Sequence, residues 1–230
     1  MTGKNRLGKK LARRGFLKVG CLAAASAGAV VCGAGTLLTE QGGPPAGLPS
    51  HVYGGNAMSE KILVAYASRA GSTAGVADAV GRALAERGLQ VDVRPMTGIE
   101  DVGQYAAVVA GSAIQGGWLP EAMEFVRVHR AELTRKSFAA FLVCITLAMR
   151  GGENYYAALG KHMEPVRALV HPVSEGFFAG ALDLSKLPLI DRVRMQIPVS
   201  LGIFPPGDHR DWGKIRAWAE GLFPKLVSSV

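Results

Sequence analysis

From residue 60 onward, short apolar runs alternate with stretches in which apolar residues recur every three or four positions. The runs are Ile62–Ala67, Val91–Arg94, Ala106–Gly111, Phe138–Ile145 and Val173–Ala179, each of strand length and bounded by polar or small residues. Val76, Val80 and Leu84 after the first run have helical spacing, and the stretches Pro120–Arg130, Glu153–Leu169 and Asp211–Leu226 carry helical patterns as well. Strands that alternate with helices predict an α/β domain around a five-stranded parallel sheet, because a parallel connection needs a crossover. In such sheets ligands sit outside the carboxyl ends of the strands, where the chain changes direction. Three loops fall there: Ser68–Thr73, Ser112–Trp118 and Thr146–Arg150.

One stretch breaks the alternation. Residues 181–210 separate the last strand from the last helix and carry Leu184, Leu187, Leu189, Ile190, Val193, Met195, Ile197, Val199, Leu201, Ile203 and Phe204. A structureless loop would not be this apolar. Lys186, Arg192 and Arg194 interrupt it, which suits a short amphipathic element resting on a membrane or covering a hydrophobic substrate; a lid packed on its own domain has the same composition. Pro188, Pro198, Pro205 and Pro206 argue against one continuous helix.

The chain of 230 residues is long enough for one substantial core with appendages. Its net charge of +8 points at first to an acidic partner, but seven of the positive charges lie within residues 1–18: Lys4, Arg6, Lys9, Lys10, Arg13, Arg14 and Lys18. With those set aside, the 26 basic residues fall to 19 against 18 acidic ones. The remainder has no basic excess with which to neutralise phosphates, so nucleic acid is not an expected partner. Cys21, Cys32 and Cys144 and the five histidines show no metal-ligand spacing, and no metal site or disulfide framework is expected.

Arg13-Arg14-Gly-Phe-Leu-Lys18 and the uncharged stretch Val19–Leu38 behind it resemble the twin-arginine export signal. The resemblance implies passage through the twin-arginine machinery and an exported, periplasmic or otherwise extracytoplasmic domain. At twenty residues the stretch also equals a membrane span, so an uncleaved anchor is the alternative. Either way the excess of Lys and Arg keeps the N-terminus inside. A lipid-modified Cys21 or Cys32 is a weaker reading, because the residues before them fit poorly. Residues 1–39 are thus read as a targeting segment, 40–57 as a flexible linker rich in Gly and Pro, and 58–230 as the folded domain.

The first of the three loops reads Ser68-Arg69-Ala70-Gly71-Ser72-Thr73 between a strand and a helix. A helix N-terminus offers unpaired amides, a glycine permits close backbone approach, and the hydroxyls of Ser68, Ser72 and Thr73 add donors: a setting suited to a phosphate. The loop has neither the lysine of a nucleoside-triphosphate loop nor the G-x-G-x-x-G spacing of dinucleotide sites, which favours a monophosphate. An ordinary helix N-cap uses the same residue types.

With Tyr66 and Ala67 in front, this loop resembles the flavin mononucleotide (FMN) phosphate loop of flavodoxins, a likeness that extends over Lys61–Leu226. The implied architecture is a doubly wound parallel sheet of strand order 2-1-3-4-5. Within that superfamily the chain is most similar to flavodoxin-like, quinone-linked protoporphyrinogen oxidases, on the loop itself, Phe178-Ala-Gly-Ala-Leu182, Asp191-Arg192 and Asp211-Trp212. The resemblance implies FMN as cofactor, with the phosphate at Ser68, Arg69, Ala70, Gly71, Ser72 and Thr73. It also implies an isoalloxazine flanked by Ser112, Ala113, Ile114, Gly116, Gly117 and Trp118 and by Thr146, Leu147 and Ala148. Trp118 is the natural ring neighbour, although simple packing would also place a Trp there. Cys144, at a strand end, reads as a buried thiol.

One departure bears on substrate. After Ile114 the oxidases carry an Arg and an aromatic residue, whereas this chain has Gln115-Gly116, and a charge that could engage a porphyrin carboxylate or the flavin is missing. No acid–base pair stands out, so the flavin is expected to carry the chemistry and no catalytic side chain is assigned. The expected activities are an FMN oxidoreductase linked to quinone, a protoporphyrinogen oxidase, or an electron-transfer module with no substrate of its own.

Overall fold

The computed structural model describes residues 47–55, 60–187 and 189–227, so the stretch 1–39 read as a targeting segment lies outside the described residues. Eight strands are described: β1 (His51–Tyr53), β2 (Lys61–Ala67), β3 (Gln90–Pro95), β4 (Ala107–Ala113), β5 (Ser137–Cys144), β6 (Ser174–Ala179), β7 (Ala181–Leu182) and β8 (Gly207–Asp208). The helices are α1 (Ser72–Ala85), α2 (Pro120–Val128), α3 (Arg130–Leu133), α4 (Tyr156–Lys161), α5 (Glu164–Leu169), α6 (Leu189–Ser200) and α7 (Trp212–Val227).

β2 explains why the sheet is buried on both sides. Its Ile62, Val64 and Tyr66 enter one apolar cluster and its Leu63, Ala65 and Ala67 the other, so a continuous apolar run serves two cores. On one face the cluster takes in Val76, Val80 and Leu84 of α1 and Ile215, Ala219, Leu222 and Leu226 of α7. On the other it takes in Phe125 and Val126 of α2, Leu159 of α4 and Val166 of α5. Each large aliphatic side chain so buried contributes about 1.5–3 kcal/mol. The spatial order β1-β3-β2-β4-β5-β6 has parallel pairing from β3 to β6, which is the expected 2-1-3-4-5 arrangement with one strand added at the edge.

That added strand corrects the linker reading of residues 40–57. His51–Tyr53 pairs antiparallel with β3, Val52 opposite Asp92. The Tyr53 hydroxyl bonds the Asp78 carboxylate of α1, and the Arg82 guanidinium lies 5.5 Å from the Tyr53 ring centre. Tyr66 donates from its hydroxyl to the Pro49 carbonyl, which holds the approach to the strand. The domain therefore begins before Met58.

Two helical expectations change as well. Glu153–Leu169 is a 3-10 turn (Gly152–Tyr155) followed by two short helices, because Pro165 cannot extend α4 but is well suited to the first turn of α5. Residues 181–210 form a two-stranded hairpin of β7 and β8, and between these strands come a 3-10 turn (Leu184–Lys186) and α6. Pro198 is accommodated in the last turn of α6 with its ring buried.

Candidate functional site

β2 runs into Ser68 and turns through Gly71 into α1. Gly71 has φ +82°, and a β-carbon placed there would find no atom within 4 Å, so the backbone faces open space at the helix N-terminus. The Ser68 hydroxyl accepts the Gly71 N–H at 3.0 Å, which fixes the turn and leaves the hydroxyl proton free to donate. Gly75 N–H closes the first helical bond on the Gly71 carbonyl at 3.1 Å, so the amides of Ser72, Thr73 and Ala74 have no helical partner. Thr73 is fully buried and its Oγ1 has no hydrogen-bond partner in the structure. An unpartnered buried hydroxyl costs about 1–3 kcal/mol, which points to a missing acceptor. No acid lies in the first turn of α1 to repel an anion.

The other two loops close around the same strand ends. The Ile114 N–H donates to the Val143 carbonyl at 3.2 Å and ties the second loop to the end of β5. Within that loop Ile114 bridges Trp118, Gln115 N–H donates to the Gly117 carbonyl at 3.0 Å, and Gly116 turns the chain at φ +73°. Ser112 is buried and its hydroxyl accepts the Leu119 N–H at 3.0 Å, which pins the start of α2; Ala113 is half-buried beside it. Thr146, Leu147 and Ala148 lie in a 3-10 turn (Ile145–Ala148), and the Cys144 thiol donates to the Thr146 hydroxyl at 3.2 Å. Gly180 packs between the first loop and the end of β5: a β-carbon there would lie 3.1 Å from Ser72 Oγ and 3.2 Å from Val143 Cγ1.

Two expected contacts are corrected. Trp118 is only 7% exposed and packs in the core with Leu119 and Phe125, because the Ile114–Trp118 bridge folds it inward; it presents no open face for stacking. Its indole N–H is buried without a partner. Arg69 turns its guanidinium to the Glu121 carboxylate in the first turn of α2, with Nη2 3.0 Å from Oε2, so its charge is met within the protein. The loop can still use the Arg69 and Ala70 amides toward an anion.

Sequence reasoning missed Arg210. Its Nη1 lies 3.5 Å from the Ser72 carbonyl and would be 2.2 Å from a β-carbon on Gly75, so the absence of that carbon makes room for it. The guanidinium also pairs with Asp208 at 2.6 Å, stacks 4.4 Å from the Trp212 ring centre, and holds the Asp208 carboxyl below the usual carboxylate range. The Ala181 N–H donates to Ser72 Oγ at 2.8 Å. Both ends of the 181–210 segment thus attach to the first turn of α1. A lone Gly75 and an arginine 135 positions away carry no joint signal in one sequence.

Together these features define a doubly wound α/β domain with a phosphate-type loop at the carboxyl ends of its strands. The flavodoxin domain family model matches residues 63–202, more than half of the chain, and the chain belongs to that family. FMN is the cofactor of this domain, and the free amides, the unpartnered Thr73 hydroxyl and the open space at Gly71 fit its phosphate. Among solved structures, the chain is similar to a flavodoxin from the domain Archaea, at 15% identity over 72% of this chain and 98% of that one, TM-score 0.44. It is similar also to a short-chain flavodoxin associated with a non-canonical PDU bacterial microcompartment, at 14% identity over 74% and 98%, TM-score 0.47. A third is oxidised flavodoxin 2 from Bacillus cereus, at 23% identity over 61% and 98%, TM-score 0.40. No curated protein matches the chain by sequence.

Proposed function

We propose that this chain is an exported FMN-dependent oxidoreductase that passes electrons at the outer face of a membrane, with a quinone as its partner. When bound, FMN supplies the electron-transfer chemistry. The protein's part is to hold and shield it. The Ser68 and Thr73 hydroxyls and the amides at the start of α1 bind the phosphate, Gly71 keeps the backbone out of its way, and the loops at Ser112–Trp118 and Thr146–Ala148 flank the ring.

The observation that carries the quinone reading is the attachment of the apolar 181–210 segment to the phosphate loop through Ala181 and Arg210. It puts a hydrophobic surface next to the cofactor loop, which suits an apolar acceptor. Export is supported by Arg13 and Arg14 ahead of the uncharged stretch Val19–Leu38. Protoporphyrinogen oxidation is the second reading, favoured by the resemblance at Phe178–Leu182, Asp191-Arg192 and Asp211-Trp212; Gln115-Gly116 and an extracytoplasmic location weigh against it. A substrate-free electron-transfer module ranks third, since it gives the apolar segment no task.

The test has two arms. Arg13→Lys combined with Arg14→Lys should retain the protein in the cytoplasm, and normal export would overturn the twin-arginine route. The purified, FMN-loaded parent, once reduced, should be reoxidised by a soluble quinone analogue in the absence of oxygen. Oxidation of protoporphyrinogen by the FMN-loaded parent, with the quinone analogue as electron acceptor, would promote the second reading, and reaction with neither quinone nor protoporphyrinogen would leave the electron-transfer module.

A further inference from the structure

Helix α6 is amphipathic in the reverse sense to an ordinary surface helix. At 3.6 residues per turn, Leu189, Ile190, Val193, Ile197 and Leu201 fall within an arc of about 120°. Leu201 continues the helical turn through its N–H to the Ile197 carbonyl at 3.0 Å. All five are between 57% and 73% exposed. The domain-facing side is made instead by buried Pro198 and half-buried Asp191, Met195 and Val199. A surface helix normally turns its apolar stripe to the core, and single exposed apolar residues need no explanation, but five on one arc form a continuous patch that asks for a cover.

We propose that this face docks on the surface of an anionic lipid bilayer. Size argues against a second copy of the chain: a stable protein interface takes roughly 20–30 residues from each side, whereas this arc offers five on a helix about 18 Å long. Such a short stripe suits shallow insertion, about 5–10 Å into the boundary between headgroups and acyl chains. Charge fits an anionic surface. Lys186, Arg192 and Arg194 lie along the segment, and Arg192 is held at the start of the helix by the carbonyls of Leu184 and Ser185, each at 2.8 Å. The facing acids are Asp183, 3.5 Å from Lys186, and Asp191, 3.8 Å from Arg194, so the segment keeps one positive charge in excess. Among the described residues no helix is long and apolar enough to cross a membrane, and α6 would lie on the surface. The inference stands on the helix alone and does not depend on which acceptor the flavin serves. Its consequence is that docking α6 brings the attached phosphate loop to the membrane.

The experiment uses the full chain carrying Ile197→Trp, with emission recorded as a difference from the parent, which has Trp118, Trp212 and Trp218. Vesicles of equal parts phosphatidylglycerol and phosphatidylcholine should shift the introduced indole to the blue, and brominated acyl chains should quench it at least about twofold, as burial at that depth requires. Pure phosphatidylcholine should give a several-fold smaller change. The N-terminal stretch is present in every sample and can hold protein to vesicles, but it cannot by itself take this position out of water. Unshifted and unquenched emission in vesicle-bound protein would overturn the proposal. So would emission already blue-shifted without vesicles, which means that a second copy or residues 1–46 cover the face, and so would an equal response to both lipids. Retained FMN binding shows that the variant folds.

Discussion

The two ends of the parallel sheet are finished differently. At the amino ends of the strands, charge meets charge. Lys61 Nζ lies 3.0 Å from Asp92 Oδ2, and the Tyr105 hydroxyl donates to the same oxygen at 2.8 Å. Lys136 Nζ donates to the carbonyls of Val102, Gly103 and Tyr105 at 2.7, 2.8 and 2.6 Å. Asp92 Oδ1 lacks a partner, yet its carboxylate is neutralised through the other oxygen. At the carboxyl ends, the Thr73 hydroxyl is buried with none, the amides of Ser72, Thr73 and Ala74 have no helical partner, and Gly71 faces empty space at the head of α1. At the first end the atoms left unpartnered are the carboxylate oxygens Asp92 Oδ1 and Glu60 Oε2, whereas the second leaves donors pointing at an acceptor the chain does not supply. Stability and function are separable here: donors left free cost the fold something, and a bound ligand offsets that cost.

The largest effect expected from breaking this contrast is at the open end. Gly71→Val with Thr73→Ala should weaken FMN binding by at least roughly tenfold, since a hydrogen bond to a charged group is worth about 1.5–3 kcal/mol. The valine adds bulk where the backbone must come close. A valine at φ +82° is strained and Thr73 is buried in the first turn of α1, so circular dichroism and the thermal midpoint of the variant check that the fold survives before the affinity is read. Equal FMN affinity in parent and variant would place the phosphate elsewhere.

The complementary change at the closed end is Lys136→Ala, which removes one charged donor from three carbonyls. It should destabilise the domain by about 2 kcal/mol and lower the thermal midpoint by roughly 4–8 °C for a domain of this size. FMN affinity should stay within about twofold, because Lys136 sits at the opposite end of the sheet. A loss of flavin affinity as large as that of the loop variant would show that the two ends are not independent.

The alternation of apolar runs and helical spacings was enough to read the five parallel strands, because a strand buried on both faces must be apolar throughout, as Ile62–Ala67 is. The turn at Ser68–Gly71 between β2 and α1 was legible for a similar reason: glycine and hydroxyl residues at a strand-to-helix turn are local in sequence. What escaped depends on distance or direction. Three residues, His51–Tyr53, are too few for a period, and their pairing is decided by β3 and by Asp78. Trp118 has the composition of a flavin neighbour, but a bridge to Ile114 sends it into the core. The service of Arg210 to the first turn of α1 needs the hairpin of β7 and β8 to bring it there. The apolar stripe on α6 was readable as a stripe, but periodicity does not say whether it faces the domain or the outside.

The central claim is that the carboxyl end of the sheet recognises a phosphate, and FMN and riboflavin differ by that group alone. Parallel titrations of the purified parent with each, followed by flavin fluorescence, test it directly. The account predicts that FMN binds at least roughly tenfold more tightly, the loss of one or more charged hydrogen bonds being worth that much. Equal affinity for the two flavins would contradict it, because the hydroxyls of Ser68 and Thr73 and the first amides of α1 would then be reading nothing.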